Sequence, residues 1–313
     1  MKIIEAGQVD AVLDFPSLID ALEAGFRSDY GMPPRQVFQL GGAASSSHDG
    51  FALLPAWNDT LIGLKAFTYF PENEAAGFAS LYSKILLFDR AHGVPMALVD
   101  GTSVTYWRTA AVSALASRHL SRSDATELLL LGTGKLAPFL VAAHLSVRGL
   151  KRVRLWGRDG AKASALQARL QASHPEVEFI SVDDIEPHAA SADIIVSATG
   201  SATPLLHGAW IAACCHVDLL GNHSPDRREC DSALVANSTV YVDSLDNVLR
   251  EAGELLIPIA EGEFRADAIA GELKDLCRAA ASSRRGRDQI TLFKSVGTAL
   301  SDLIAAQLVL KRT

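Results

Sequence analysis

The hexapeptide Gly132-Thr133-Gly134-Lys135-Leu136-Ala137 lies where a short apolar run, Glu127–Leu131, gives way to a helical stretch from Lys135 to Val147. Between a strand and a helix, GxGxxA spacing has a chemical use. The first glycine permits a tight turn, the second lets backbone approach a pyrophosphate, and the alanine allows close helix–strand packing. The helix start adds unpaired N–H groups and the positive end of its dipole. Pro138 suits that first turn, where no backbone donor is needed. Gly132, Thr133, Gly134, Lys135 and Leu136 are therefore candidate phosphate contacts of a dinucleotide.

The next strand, Val153–Trp156, ends in Gly157-Arg158-Asp159. A site for NAD usually carries an acid at this tip for the ribose hydroxyls, whereas arginine suits a 2′-phosphate. Arg158 holds the tip and Asp159 comes one position late, which favours NADP(H) and leaves NAD(H) open. Three more cations stand out by their surroundings. Lys65 interrupts the apolar strand Leu61–Phe67, Arg108 opens Arg108-Thr109-Ala110-Ala111, and Arg35 closes a Pro-rich loop. Together they could grip a carboxylate, the arginines as forked donors and the lysine as a point charge. No metal site is expected. Cys214, Cys215, Cys230 and Cys277 form no CxxC pair, and His207, His216 and His223 lack a regular ligand spacing.

The elements that must carry these groups change character along the chain. Phe15, Leu18, Ile19, Leu22 and Phe26 recur at helical spacing behind Asp14 or Ser17 as cap. From Gly50 to Asp100 the pattern predicts two hairpins, Phe51–Trp57 with Leu61–Phe70 and Leu81–Phe88 with Val94–Val99, hence an antiparallel sheet. Thr102–Leu120 reads as an alanine-rich helix. Beyond it, Glu127–Leu131, Val153–Trp156, Ile194–Ala198 and His216–Leu220 alternate with helices such as Ala161–Ala172, the pattern of a helix-covered parallel sheet. A domain boundary falls near residue 120, and Thr291–Leu310 reads as a final amphipathic helix. Ala43–Ser47 reads as a mobile loop.

The 313 residues suit two domains and suffice for a core without disulfide or metal support. A formal charge of −7 argues against a nucleic-acid surface. No apolar run approaches the roughly 18–20 residues of a membrane helix. The start Met1-Lys2-Ile3-Ile4-Glu5 is charged too early for a signal peptide, so a cytoplasmic protein is expected.

The sequence resembles the ornithine cyclodeaminase/mu-crystallin family over nearly its whole length. Matching stretches are Gly63-Leu64-Lys65, Leu86-Leu87-Phe88-Asp89, Ala97-Leu98-Val99-Asp100-Gly101, Arg108-Thr109-Ala110-Ala111, Ala192–Thr199 and Phe293-Lys294-Ser295-Val296-Gly297. The resemblance implies an α/β fold: a Rossmann-type doubly wound parallel sheet over 121–290, and an antiparallel substrate and dimerisation domain over 1–120 plus 291–313. It also implies a homodimer and nicotinamide chemistry on cyclic imines or amino acids. By the same resemblance Arg35, Lys65 and Arg108 form the substrate-carboxylate cluster, with Ser80, Arg227, Val296 and Gly297 also lining the substrate site. Thr109, Ala198 and Thr199 would join the Gly132 turn and Gly157–Asp159 around the cofactor.

One departure bears on the reaction. Where cyclodeaminases carry an aspartate before the proline of a Gly-x-Asp-x-Pro-like turn, this chain reads Gly221-Asn222-His223-Ser224-Pro225, and the lysine after the proline is Arg227. A carboxylate can hold the ammonium groups of ornithine; a protonated imidazole repels them. Histidine can instead deliver the proton that imine reduction requires. The expected activity is an NAD(P)H-dependent reductase of Δ1-pyrroline-2-carboxylate or Δ1-piperideine-2-carboxylate, with His223 and Lys65 as candidate catalytic residues. Ornithine cyclodeaminase is the alternative enzyme, and a non-catalytic NADP-binding, crystallin-like protein the alternative outside enzymes.

Overall fold

The computed structural model describes residues 1–40, 49–279, 286 and 288–313. The Ala43–Ser47 stretch lies outside them. The chain opens with β1 (Lys2–Ile4), α1 (Ala6–Val12) and α2 (Phe15–Arg27). Strands β2 (Gln36–Gln39), β3 (Gly50–Trp57), β4 (Leu61–Tyr69), β5 (Leu81–Asp89) and β6 (Pro95–Asp100) lead into α3 (Gly101–Leu120). Next come β7 (Glu127–Leu131), α4 (Ala137–Val147), β8 (Arg152–Trp156), α5 (Gly160–Ser173), β9 (Glu178–Val182), α6 (Glu186–Ala189), β10 (Ile194–Ser197) and β11 (His216–Leu219). The order closes with α7 (Ser232–Ala236), β12 (Thr239–Val242), α8 (Leu245–Glu251), α9 (Gly253–Glu261), β13 (Gly271–Glu272), α10 (Leu273–Arg278), β14 (Thr291–Lys294) and α11 (Ala299–Arg312).

These elements form two units, 1–109 with 298–313, and 110–297. In the first, six strands lie in the order β1-β6-β5-β4-β3-β2. The two hairpins pair antiparallel as their alternation predicts, while β1 adds a parallel edge beside β6. Alternate positions Ala52, Leu54, Ala56, Ile85 and Leu87 are buried on the face covered by α11. Gly63 belongs to that face: a Cβ there would lie 2.8 Å from Leu303 of α11. The apolar stripe of α2 is buried as well, and Asp14, not Ser17, is its cap, accepting the Ser17 N–H at 2.8 Å.

The second unit is an eight-stranded parallel sheet, β13-β12-β14-β11-β10-β7-β8-β9. The chain winds outward from β7 through β8 to β9, then returns to β10 on the other side of β7. The switch point therefore lies between β7 and β10, where doubly wound sheets bind their ligands at the carboxyl ends of the strands. One sequence expectation needs correcting: Thr291–Lys294 is not the start of the last helix but a fully buried strand between β11 and β12. With β14 and the second half of α3 in this unit, the breaks fall at 109/110 and 297/298, against the 120/121 and 290/291 read from sequence. Among the described residues no helix is long and apolar enough to cross a membrane.

Candidate active site

In the first unit, strand alternation turns Lys65 toward the buried face of β4, where it is 4% exposed. Its Nζ donates to Thr105 Oγ1 at 2.6 Å and to Asp302 Oδ1 at 2.9 Å. Arg108 Nε donates to the same Oδ1 at 3.0 Å. Two cations thus share one oxygen of a carboxylate that is itself 1% exposed. Two positive charges against one negative leave the cluster cationic, and Arg35, just ahead of β2, adds its own positive field at Lys65. Burial pushes the Lys65 ammonium from its ordinary 10.5 down to about 8; Asp302 opposes that fall, while Arg108 and Arg35 deepen it. Such a cluster favours a bound anion and holds an unusually acidic lysine beside it. Lys65 and Arg108 are thus joined through Asp302, and Arg35 lies near enough to act on Lys65 through its charge. Ser80 is not tied to them by any hydrogen bond among the described residues; its carbonyl accepts the Phe70 N–H at 2.7 Å. Thr109 follows Arg108 on α3.

In the second unit the Gly132–Leu136 turn joins β7 to α4 at the switch point. Gly132 has φ +113°, and a Cβ there would stand 2.6 Å from the Ala198 carbonyl, so only glycine fits. Gly134 and Lys135 are exposed at the turn, and helical structure begins at Ala137 rather than Lys135. An exposed glycine turn at a helix start fits a pyrophosphate, and Gly132–Leu136 would hold it. At the end of β8, Gly157 packs against the Thr133 methyl, and Arg158 is exposed. Asp159 is already engaged: its Oδ1 caps α5, accepting the Ala161 and Lys162 N–H groups at 3.0 and 3.2 Å.

The other loops on this sheet edge are braced by buried carboxylates. Glu229 Oε1 accepts the Thr199 N–H at 2.7 Å and its hydroxyl at 2.8 Å. Asp243 Oδ2 accepts the Ser295 hydroxyl at 2.7 Å and the N–H groups of Val296 and Gly297 at 3.1 and 2.7 Å. Ala198 continues the β7 pairing through a 2.9 Å bond to the Leu131 carbonyl. His223 is exposed on the loop after β11, and Arg227 Nη1 lies 3.4 Å from the Gly200 carbonyl, bracing the loop after β10. Asp302, Glu229 and Asp243 escaped the sequence reading. Asp302 lies five residues beyond Gly297 and Glu229 six beyond His223, whereas Asp243 follows no motif read from the sequence.

A doubly wound parallel sheet with a glycine turn at its switch point, in a chain whose other, strand-rich unit carries a buried cationic cluster, defines a two-domain dinucleotide-binding protein. The chain belongs to the ornithine cyclodeaminase/mu-crystallin family, whose model matches residues 2–313. It is 54% identical over 313 residues to Δ1-pyrroline-2-carboxylate reductase of Colwellia psychrerythraea, covering 100% of this chain and 99% of that one. The Thermococcus litoralis Δ1-pyrroline-2-carboxylate reductase, solved with NADH and L-proline, superposes with a TM-score of 0.93 at 27% identity, covering 100% and 97% of the two chains. The iminosuccinate reductase of Paracoccus denitrificans, solved with NAD+, gives 0.90 at 26% identity over 99% and 95%.

Proposed function

We propose that the protein reduces a cyclic ketimine carboxylate, Δ1-pyrroline-2-carboxylate or its six-membered homologue Δ1-piperideine-2-carboxylate, using NAD(P)H. The observation that carries this reading is the buried cluster in which Lys65 and Arg108 share a single oxygen of Asp302, leaving positive charge for a substrate carboxylate. The 54% identical reductase supports it. Arg35, Lys65 and Arg108 hold the carboxylate and so fix the ring. A bound reduced nicotinamide supplies the hydride that converts C=N to C–N. The ring nitrogen must also carry a proton: Lys65, acidified by burial, keeps a charged donor in the cluster, and His223 is the proposed general acid.

NADP(H) is the proposed cofactor, because Arg158 is exposed while the Asp159 carboxylate is taken up as a helix cap. A homodimer is proposed as well. Pro55, Leu64, Leu86 and Leu98 lie in register across β3–β6, an apolar row left half-exposed on the sheet face opposite α11. The deciding assay follows NAD(P)H oxidation with both imine carboxylates beside ammonia release from ornithine. Imine-dependent oxidation without ammonia release is expected. Ammonia release would make the protein a cyclodeaminase. Tight NADPH binding with no turnover would make it a nucleotide-binding protein.

A further inference from the structure

Glu229 is fully buried on the loop that follows β11, yet nothing in the proposed chemistry uses it. Its two oxygens collect four donors. Oε1 accepts the Ser197 hydroxyl at 2.6 Å, the Thr199 N–H at 2.7 Å and the Thr199 hydroxyl at 2.8 Å. Oε2 accepts the Gly221 N–H at 2.7 Å. Ser197 ends β10 and Thr199 follows it; Gly221 follows β11. One carboxylate therefore ties together the exits of two adjacent strands. The two exits are in direct backbone contact, since a Cβ on Gly221 would fall 1.9 Å from the Thr199 carbonyl oxygen and 2.5 Å from Glu229 itself.

A second strut holds the same loop. Lys294 Nζ, on β14, donates to the Asn222 carbonyl at 2.7 Å and pairs with Glu254 at 2.8 Å, both side chains being completely buried. Glu254 Oε1 in turn receives the Glu229 N–H at 3.3 Å. His223 is the next residue along from Asn222. A buried carboxylate is costly unless its oxygens are satisfied, and one that accepts four donors fixes those donors in place.

We propose that Glu229 is a positioning residue for the nicotinamide end of the cofactor: it locks the β10 exit to the β11 exit and so fixes where Thr199 and His223 stand. This rests on the reading of these loops as the nicotinamide side of the site. Among the described residues Glu229 makes no hydrogen bond to the phosphate turn at Gly132–Leu136, whose Gly132 N–H donates instead to the Trp156 carbonyl at 2.9 Å. The two ends of the cofactor site are therefore held by different hydrogen bonds, and damage to Glu229 bears first on the nicotinamide end.

The test is Glu229→Gln. The amide offers one acceptor oxygen and turns an N–H₂ group toward donors that previously met a lone pair. Affinities are measured by fluorescence titration for NADPH and by calorimetry for 2′-phospho-ADP-ribose, which lacks the nicotinamide. NADPH binding is expected to weaken about tenfold or more, with 2′-phospho-ADP-ribose binding unchanged within about twofold. Imine reduction at saturating NADPH should fall about 10²-fold, with the imine KM little altered. Ser197→Ala, which removes one of the four donors, should show the same split in smaller measure and serves if Glu229→Gln does not fold. Unchanged NADPH binding and turnover, or equal weakening of both ligands, would overturn the proposal. If the wild-type protein reduces neither imine, the proposed function fails, and the two binding curves still decide the role of Glu229.

Discussion

Asp302→Asn keeps the shape of the buried cluster and removes the negative charge that Lys65 and Arg108 share. In the native protein Asp302 Oδ1 is 2.9 Å from Lys65 Nζ and 3.0 Å from Arg108 Nε. Unit charges about 3 Å apart attract by roughly 5 kcal/mol at an effective dielectric of about 20. The asparagine dipole and local relaxation recover about half of that, so Lys65 should lose about 2–3 kcal/mol of support for its charge. At about 1.36 kcal/mol per unit this is close to two pKa units. Lys65, already lowered to about 8 by burial, would then titrate near ~6. At pH ~7.5 its protonated fraction drops from about three quarters to about 3%, so kcat/KM should fall roughly 25-fold.

Stability moves the other way with pH. A lysine whose folded pKa is depressed contributes stability that is full above its unfolded value of 10.5 and is lost as pH falls through the folded value, here about 8. In Asp302→Asn that window extends down to about 6. The variant should thus melt closest to wild type above pH ~9 and fall behind below pH ~8, while its relative activity recovers as pH drops. The assay is kcat/KM for imine reduction from pH ~5.5 to ~9.5, with thermal melts in the same buffers. Partial unfolding cannot give opposite trends in activity and stability. A folded Asp302→Asn protein whose alkaline limb stays near pH ~8 would refute the assignment of that limb to Lys65.

Arg158→Ala should reduce the NADPH-to-NADH ratio of kcat/KM about tenfold by removing a charged partner of the 2′-phosphate; an unchanged ratio would place the phosphate elsewhere. His223→Asn should cost about 10²–10⁴-fold in imine reduction and flatten the pH profile near neutrality if the imidazole is the general acid; an intact rate and profile would assign the proton to solvent. Burial raises Asp218 to about 7, so its stability contribution is full below 3.8 and is lost as pH rises through 7. Wild type should therefore lose about 1 kcal/mol between pH ~6 and ~8, a melting shift of about 2–4 °C that Asp218→Asn should lack; parallel melting curves would show Asp218 ionised throughout. Leu86→Lys, in the half-exposed row, should convert the proposed dimer to monomer in light scattering, and an unchanged mass would remove that face from the proposed interface.

The parts of the fold legible in sequence are those whose physics is local. Gly132 had to be glycine because its backbone is left-handed, and the spacing to Gly134 and Ala137 exposes that need within six residues. The hairpins β3–β4 and β5–β6 show a buried-exposed alternation that any sheet with one covered face imposes. β14 fails this test because all four residues, Thr291–Lys294, are buried on both faces and shade directly into the helical pattern of α11. β1 is three residues long and pairs with a strand more than ninety positions later, so no local period marks it.

Cations and carboxylates differ in the same way at the site. Lys65 announces itself because an ammonium inside an apolar strand is costly and therefore conspicuous. Asp302 and Glu229 sit where carboxylates are ordinary, on an amphipathic helix and at the end of the charged run Asp226–Glu229. What makes them unusual is set by partners brought in from elsewhere: Lys65 lies 237 positions from Asp302, and Ser197 lies 32 from Glu229. Asp243 gathers Ser295, Val296 and Gly297 across more than fifty positions in the same manner. Each carboxylate is a hub that gathers donors from other segments, so that role exists only after the chain has folded. An isosteric amide at any of the three removes charge without volume, which separates holding a donor in place from filling space. The three hubs should respond differently: Asp302→Asn through the protonation of Lys65, Glu229→Gln through the nicotinamide end of the cofactor, and loss of Asp243 through the turn at Val296–Gly297.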